Sequence, residues 1–304
     1  MKEVWAIGGG KGGIGKSFII SSMGNCLARQ GKKVILVDAD LGAANLHTFL
    51  GMGKPEKSLT DFFENKAPLA SLLVRTGIDN LDLLAGAIHS MVPENIKYAQ
   101  KLKFFRHIKK LEADFILIDL GAGVHFNTID TFLLADRKIV VIVPEITAIE
   151  NMYGFIKIVF FRHIMNTLGR NGFKDEFREV WDMRQAHGIT TLKVFVECLK
   201  SQSASMGRII DSELASFRVN IVLNQIKLKR EKRIGNSVKS ICLKYFGLDA
   251  RYAGFIETDD FITRSLNNRQ PYLQSYPESK CAREVAAIVH NLVNDQQISI
   301  QDAR

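Results

Sequence analysis

A chain of 304 residues, 46% hydrophobic and 24% charged, is long enough to bury a sizeable core and too apolar for global disorder. Its net charge of +9 leans toward an anionic partner: nucleic acid, anionic lipid or a nucleotide. No apolar run approaches the roughly 18–20 residues of a membrane-spanning helix, which excludes an α-helical membrane protein.

In chain order, short apolar runs predict strands at 3–7, 33–37, 80–84, 115–118, 138–143, 220–223 and 252–256. Several are continuous rather than alternating, the pattern of strands covered on both faces. Helical patterns fall between them at 16–30, 94–111, 148–168, 237–246 and 279–294. The expectation is one α/β domain over residues 1–304: three layers, with a twisted, mostly parallel sheet and helices on both faces. Residues 162–217 break the alternation, being mixed in charge and punctuated by Gly169, Gly172 and Gly188. They exceed a simple crossover and read as a helical insertion, which either covers a sheet edge or docks a partner. A strand pattern within a few residues of Met1 leaves no room for a signal peptide, so a cytoplasmic protein is expected.

The string Gly8-Gly9-Gly10-Lys11-Gly12-Gly13-Ile14-Gly15-Lys16-Ser17 follows the first strand and opens the first helix. It satisfies G-x-x-x-x-G-K-[ST] through Gly10, Gly15, Lys16 and Ser17. Such a loop lets backbone N–H groups, here from Gly10 through Phe18, converge on phosphate oxygens at a helix N-terminus. Lys16 adds charge at the β- and γ-phosphates, and the Ser17 hydroxyl can ligate Mg²⁺. The same glycines also fit G-x-G-x-x-G, with Asp38 placed to hold a ribose as in a dinucleotide oxidoreductase. Lys16 and Ser17 favour the phosphate loop, because a dinucleotide site gives that pair no task. Asp119 closes the apolar run of residues 115–118, where a Walker-B aspartate would meet the Mg²⁺ on Ser17.

Lys11 departs from a plain phosphate loop. The run Lys11-Gly12-Gly13-Ile14-Gly15-Lys16-Ser17 resembles the deviant Walker A of the MinD/ParA ATPases, K-G-G-x-G-K-[ST]. The resemblance implies that Lys11 crosses an ATP-sandwiched homodimer to the partner's nucleotide, much as an arginine finger does. The string Asp38-Ala39-Asp40-Leu41-Gly42-Ala43-Ala44-Asn45-Leu46 looks like the family's switch I. By that likeness Asp38 lies near the Mg²⁺ shell and Asp40 orients the attacking water. Asp119-Leu120-Gly121-Ala122-Gly123 resembles switch II, and Val143-Pro144-Glu145-Ile146-Thr147 matches a later family segment. Asn224 falls where the family reads adenine, and Glu257 stands where it usually has proline. The switch I string is nearest to the MinD/FlhG branch, whose FlhG-like members govern flagellar number and placement. The implied protein binds ATP/ADP with Mg²⁺, dimerises with ATP, hydrolyses slowly and answers to a protein partner or activator. A ParA-like DNA-partitioning ATPase is the alternative.

Two basic stretches bear on partners. Lys227-Leu228-Lys229-Arg230-Glu231-Lys232-Arg233 would attract DNA phosphates or an anionic membrane, and the predicted helix 94–111 adds Lys97, Lys101, Lys103, Arg106, Lys109 and Lys110. Aromatic residues interleave with neither, which disfavours single-strand binding. The last helix is amphipathic through Val285, Ile288, Val289, Leu292 and Val293, but residues 284–294 carry no lysine or arginine. It reads as a packed helix rather than a membrane-targeting one. Cys26, Cys198, Cys242 and Cys281 form no CxxC pair, which argues against a disulfide framework, a zinc ribbon or the iron–sulfur relatives of this superfamily.

Overall fold

The computed structural model describes residues 2–40, 44–86 and 98–298. Its strands are β1 (Glu3–Gly8), β2 (Val34–Asp38), β3 (Val74–Arg75), β4 (Leu81–Leu84), β5 (Phe115–Asp119), β6 (Arg137–Ile142), β7 (Val219–Ile226) and β8 (Arg251–Glu257). Early helices are α1 (Lys16–Arg29), α2 (Leu46–Phe49), α3 (Leu59–Phe63), α4 (Tyr98–Ile108) and α5 (Phe126–Leu134). A long α6 (Ile146–Arg170) leads into α7 (Lys174–Asp182), α8 (Leu192–Gln202) and α9 (Ala204–Ser216). The chain closes with α10 (Ile234–Phe246), α11 (Asp260–Asn267), α12 (Tyr272–Ser275) and α13 (Lys280–Val293).

The strands form one eight-stranded sheet in the order β3-β4-β2-β5-β1-β6-β7-β8, parallel except for the β3–β4 pair. Every residue of β2 and β5 is buried, because successive side chains point to opposite faces and both faces are covered. One face sends Val4, Ile35, Val37, Ile116 and Ile118 against Phe104, Ile129 and Phe155 of α4, α5 and α6. The other sends Trp5, Ile7, Leu36 and Leu117 against Ile19 and Met23 of α1 and Val285 and Ile288 of α13. Helix starts carry their own signals. Thr191, Ser203 and Ser279 each accept a backbone N–H three residues on, opening α8, α9 and α13.

The seven predicted strands are present with shifted ends, and the sheet is of the predicted class. The eighth, β3, is a two-residue antiparallel edge too short to leave an alternating pattern. Residues 162–217 hold no strand: α6 runs straight on to Arg170, and α7, α8 and α9 follow. This helical layer is joined by aromatic rings, Phe161 of α6 lying 5.3 Å from Phe177 and 4.6 Å from Trp181 of α7. Residues 94–97 of the predicted helix 94–111 lie outside the described residues. No helix of the described residues is long and apolar enough to cross a membrane.

The outer edge of β8 is partly covered by the segment after α13, where the Ile298 N–H donates to the Tyr252 carbonyl at 2.9 Å. Arg137 and Arg251 both bind the Asp295 carboxylate and pin that segment. Tyr252 itself is wholly buried, and its hydroxyl has no hydrogen-bond partner. An unsatisfied buried hydroxyl opposes folding. Tyr252→Phe is therefore expected to leave stability unchanged or raise it by up to about 1 kcal/mol, read as a thermal midpoint at or above that of the wild type.

Candidate nucleotide-binding site

The parallel strands aim their C-terminal ends at one edge of the sheet, the customary ligand edge of open α/β folds. There the loop from Gly9 to Gly15 joins β1 to α1. Gly10 and Gly15 show why it is glycine-rich. A Cβ on Gly10 would sit 2.3 Å from the Asn151 carbonyl oxygen of α6. Gly15 has φ +86°, and a Cβ there would also sit 2.3 Å from the Asn224 amide nitrogen. The loop is held from below by β7: the Asn224 amide donates to the Ile14 carbonyl at 2.8 Å and the Gln225 amide to the Gly13 carbonyl at 3.4 Å.

Lys16 begins α1 and is buried, its amine donating to the Lys11 carbonyl at 3.3 Å. Burial lowers its pKa, an effect opposed by the carboxylates of Asp119 and Asp40 close by. The Phe18 side chain turns into the core, its ring edge-on to Tyr272 at 5.4 Å. Only its backbone is available to a phosphate. Gly12 and Gly13 complete the loop, and the Ile14 side chain is buried beneath it.

Asp38 and Asp119 end neighbouring strands in register, Asp119 on the strand beside β1, with Ile7 of β1 opposite it. Both are 2% exposed. Burial pushes the Asp38 carboxyl up to about 6, against the backbone N–H groups of Leu46 at 2.9 Å and Asp40 at 3.2 Å. Burial pushes Asp119 up to about 7, partly offset by a hydrogen bond from the Ser17 hydroxyl. Asp119 Oδ1 has no hydrogen-bond partner. A buried carboxylate oxygen without a donor, a hydroxyl on the same group and a second buried carboxylate beside them are a hard-oxygen set that a divalent cation such as Mg²⁺ satisfies. The residues present therefore fit a magnesium-bound nucleotide. Asp40 leaves the end of β2 on the same edge, and the predicted switch residues Leu41, Gly42 and Ala43 lie outside the described residues.

Lys11 does something the sequence did not announce. Its amine reaches sideways to Glu145 Oε2 at 2.6 Å and Thr147 Oγ1 at 3.3 Å, where β6 passes into α6. Ile146 between those two residues is 78% exposed, and Val124 after β5 is 42% exposed. Ile146 thus stands in solvent between the two residues that hold Lys11. Glu257 is tied to Lys232 at 3.1 Å and to Lys280 at 2.5 Å, joining the ends of β7 and β8. The two basic stretches do not merge: α4 packs on α5, whereas Lys227–Arg233 leaves β7, separated from β5 by β1 and β6.

The AAA domain family (AAA_31) matches residues 2–169, more than half of the chain. The antiactivator FleN of Pseudomonas aeruginosa is 23% identical over 292 residues, covering 95% of this chain and 86% of that protein. The septum site-determining protein MinD of Bacillus subtilis is 34% identical over 159 residues, covering 50% of this chain and 57% of that protein. Among solved structures, MinD of Pyrococcus horikoshii complexed with Mg-ADP superposes with a TM-score of 0.61 at 20% identity, covering 96% of each chain. That last likeness concerns the fold alone. With the loop, the paired acids and the family match in hand, the chain belongs to the AAA domain family and is a P-loop ATPase of the MinD/ParA type.

Proposed function

We propose that this protein is an ATP-dependent dimerising switch and a MinD/FlhG-like spatial regulator, acting on the placement of flagella or of the division site. The observation that carries the proposal is the position of Lys11. Its amine is held by Glu145 and Thr147, on either side of the exposed Ile146. A lysine so placed is available to a nucleotide held by a second copy, and the exposed isoleucine supplies contact area for that copy.

In this reading the backbone N–H groups from Gly10 to Phe18 hold the phosphates, and Lys16 balances their charge. Ser17, Asp38 and Asp119 hold Mg²⁺, which when bound neutralises charge on the phosphate oxygens. Asp40 orients the attacking water, Lys11 of each copy serves the other's nucleotide, and Asn224 contributes its remaining amide oxygen toward adenine. Residues 1–304 act as one ATPase domain in which the 162–217 helices form an insertion facing a protein partner or activator. Lys227–Arg233 meets an anionic surface. ATP and ADP states would then present different surfaces, and hydrolysis would time the exchange.

The test is the oligomeric state of wild type, Lys11→Ala and Asp40→Ala, measured by light scattering with Mg-ADP and with Mg-ATP. Asp40→Ala is expected to accumulate as an ATP-bound dimer, and Lys11→Ala to remain monomeric with either nucleotide. If ATP changes the mass of none of the three, Lys11 and Asp40 lose these roles.

A further inference from the structure

The end of the sheet opposite the phosphate loop carries a cleft of about 490 Å³, where the last turns of α1 meet the turn before β4 and the segment through α12. That size suits a small molecule. Helix α1 links the two places: Lys16 and Ser17 open it, and Asn25 and Arg29 reach the cleft from its second half. Along the helix axis the cleft lies roughly 14 Å from Lys16.

Asn25 marks the cleft. It is 2% exposed, and its Oδ1 has no hydrogen-bond partner. A buried amide oxygen left unpaired opposes folding, and the side chains around it on α1, Met23, Leu27 and Ala28, are buried and apolar. Arg29 follows one turn later on the same face. One arm of its guanidinium donates to the Leu273 carbonyl at 3.3 Å, which fixes the side chain beside the cleft and leaves its other N–H groups unspent. Asp79 lines the cleft from the turn between β3 and β4. That turn is built: the Ile78 N–H donates to Thr76 Oγ1 at 3.2 Å, the Thr76 hydroxyl to the Leu81 carbonyl at 2.7 Å, and the Val34 N–H to the Asn80 carbonyl at 2.8 Å. Among the described residues, neither Arg29 nor Asp79 is in a salt bridge, with each other or with a third residue. Ile78 and Leu273, both buried, give the cleft an apolar wall.

We propose that this cleft is a second ligand site, separate from the nucleotide, and that it takes a free amino acid with an apolar side chain. The ligand carboxylate meets the Arg29 guanidinium, its ammonium meets the Asp79 carboxylate, and the Asn25 amide accepts a further ammonium N–H. The ligand side chain lies against Ile78 and Leu273. The three polar groups select this class together. A simple anion such as phosphate would use Arg29, but it would face Asp79 and the Asn25 oxygen with nothing to donate. A simple amine would satisfy those two acceptors and leave Arg29 unmet. A molecule with both charges, and an apolar body to cover the wall, answers all of them. The assignment stands independently of the switch proposed above.

The experiment is calorimetric titration of the full chain with L-leucine and with L-phenylalanine, with and without saturating Mg-ADP. At least one of them is expected to bind, one molecule per chain, with a Kd below about 1 mM, and to bind in both conditions. Its N-acetyl derivative lacks the ammonium and its amide lacks the carboxylate, and each should bind about tenfold or more weakly. Arg29→Gln and Asp79→Asn should each weaken the parent amino acid by about tenfold. Asp79→Asn should leave the N-acetyl derivative unaffected. Both positions are exposed, and unchanged circular dichroism establishes that these variants are folded. Asn25→Leu should abolish binding while its thermal midpoint stays at or above that of the wild type, as expected when an unpaired buried amide is removed. No binding of either amino acid at about 10 mM overturns the proposal. So does an N-acetyl derivative that binds as tightly as its parent. Binding that Mg-ADP displaces, and that Arg29→Gln and Asp79→Asn leave unchanged, would put the amino acid at the phosphate loop and overturn the proposal as well.

Discussion

Exchanging Asp119 for asparagine is expected to lower ATP turnover by about 100- to 1000-fold and at the same time to make the nucleotide-free protein more stable above pH 7. The two effects share one cause. Asp119 is 2% exposed, and burial holds its carboxyl at about 7 against an ordinary 3.8. A carboxyl whose folded pKa exceeds its unfolded pKa binds its proton more tightly in the folded state. Stability therefore falls as pH rises from near 4 through about 7 and stays low above it. Asparagine carries no such charge and can still accept the Ser17 hydroxyl. At pH 4, near the unfolded pKa, the two proteins should melt nearly together. At pH 8 the variant should be more stable by about 2–4 kcal/mol, since each tenfold difference in proton affinity between folded and unfolded chain is worth about 1.36 kcal/mol. Addition of Mg-ADP should reverse the order, because the ionised carboxylate is what the cation needs. A variant that melts below wild type at pH 8 without nucleotide would mean that Asp119 is a structural acid, with stabilising partners of its own.

Much of this site could be read from the chain because its requirements are backbone requirements. A loop that brings N–H groups onto phosphates needs glycine at Gly10 and Gly15, and the close approaches there show why no other residue serves. Asp38 and Asp119 were legible for a related reason: each is an acid that ends a run of apolar residues buried on both faces. Two kinds of feature left no trace. Lys11 meets Glu145 and Thr147 across 134 and 136 positions of chain, and only the β1–β6 pairing brings them together. Gln225 adopts φ +57° without being glycine, so no residue type marks the bend that turns its amide under the loop. The layer from α6 to α9 was legible as helical but not in its boundaries. Residue 162 lies inside α6, because the apolar stripe through Phe155, Val159 and Ile164 continues without interruption to Leu168.

Arg162 is where that continuity becomes testable. It stands on α6 and grips Asp130 of α5 with both ends of its guanidinium, through Nε to Oδ1 and through Nη2 to Oδ2 at 3.1 Å. The Asp130 side chain is 1% exposed and that of Arg162 20%. Removing Arg162 takes both of these hydrogen bonds from a deeply buried carboxylate, so Arg162→Met is expected to cost about 3–5 kcal/mol. Two charges exchanged together for apolar side chains cost far less, since their desolvation disappears as well. Arg162→Met/Asp130→Leu should accordingly recover most of the loss in urea denaturation, with an unchanged slope. The pair also has a place in the switch. It joins the helix that follows Asp119–Gly123 to the helix that begins beside Glu145, the partner of Lys11. In the stable double variant, then, ATP-dependent dimerisation separates two roles. Dimerisation at the wild-type ATP concentration would make the pair a strut of the fold alone. A dimer that needs about tenfold more ATP, at wild-type stability, would show that α5 and α6 move together when nucleotide binds.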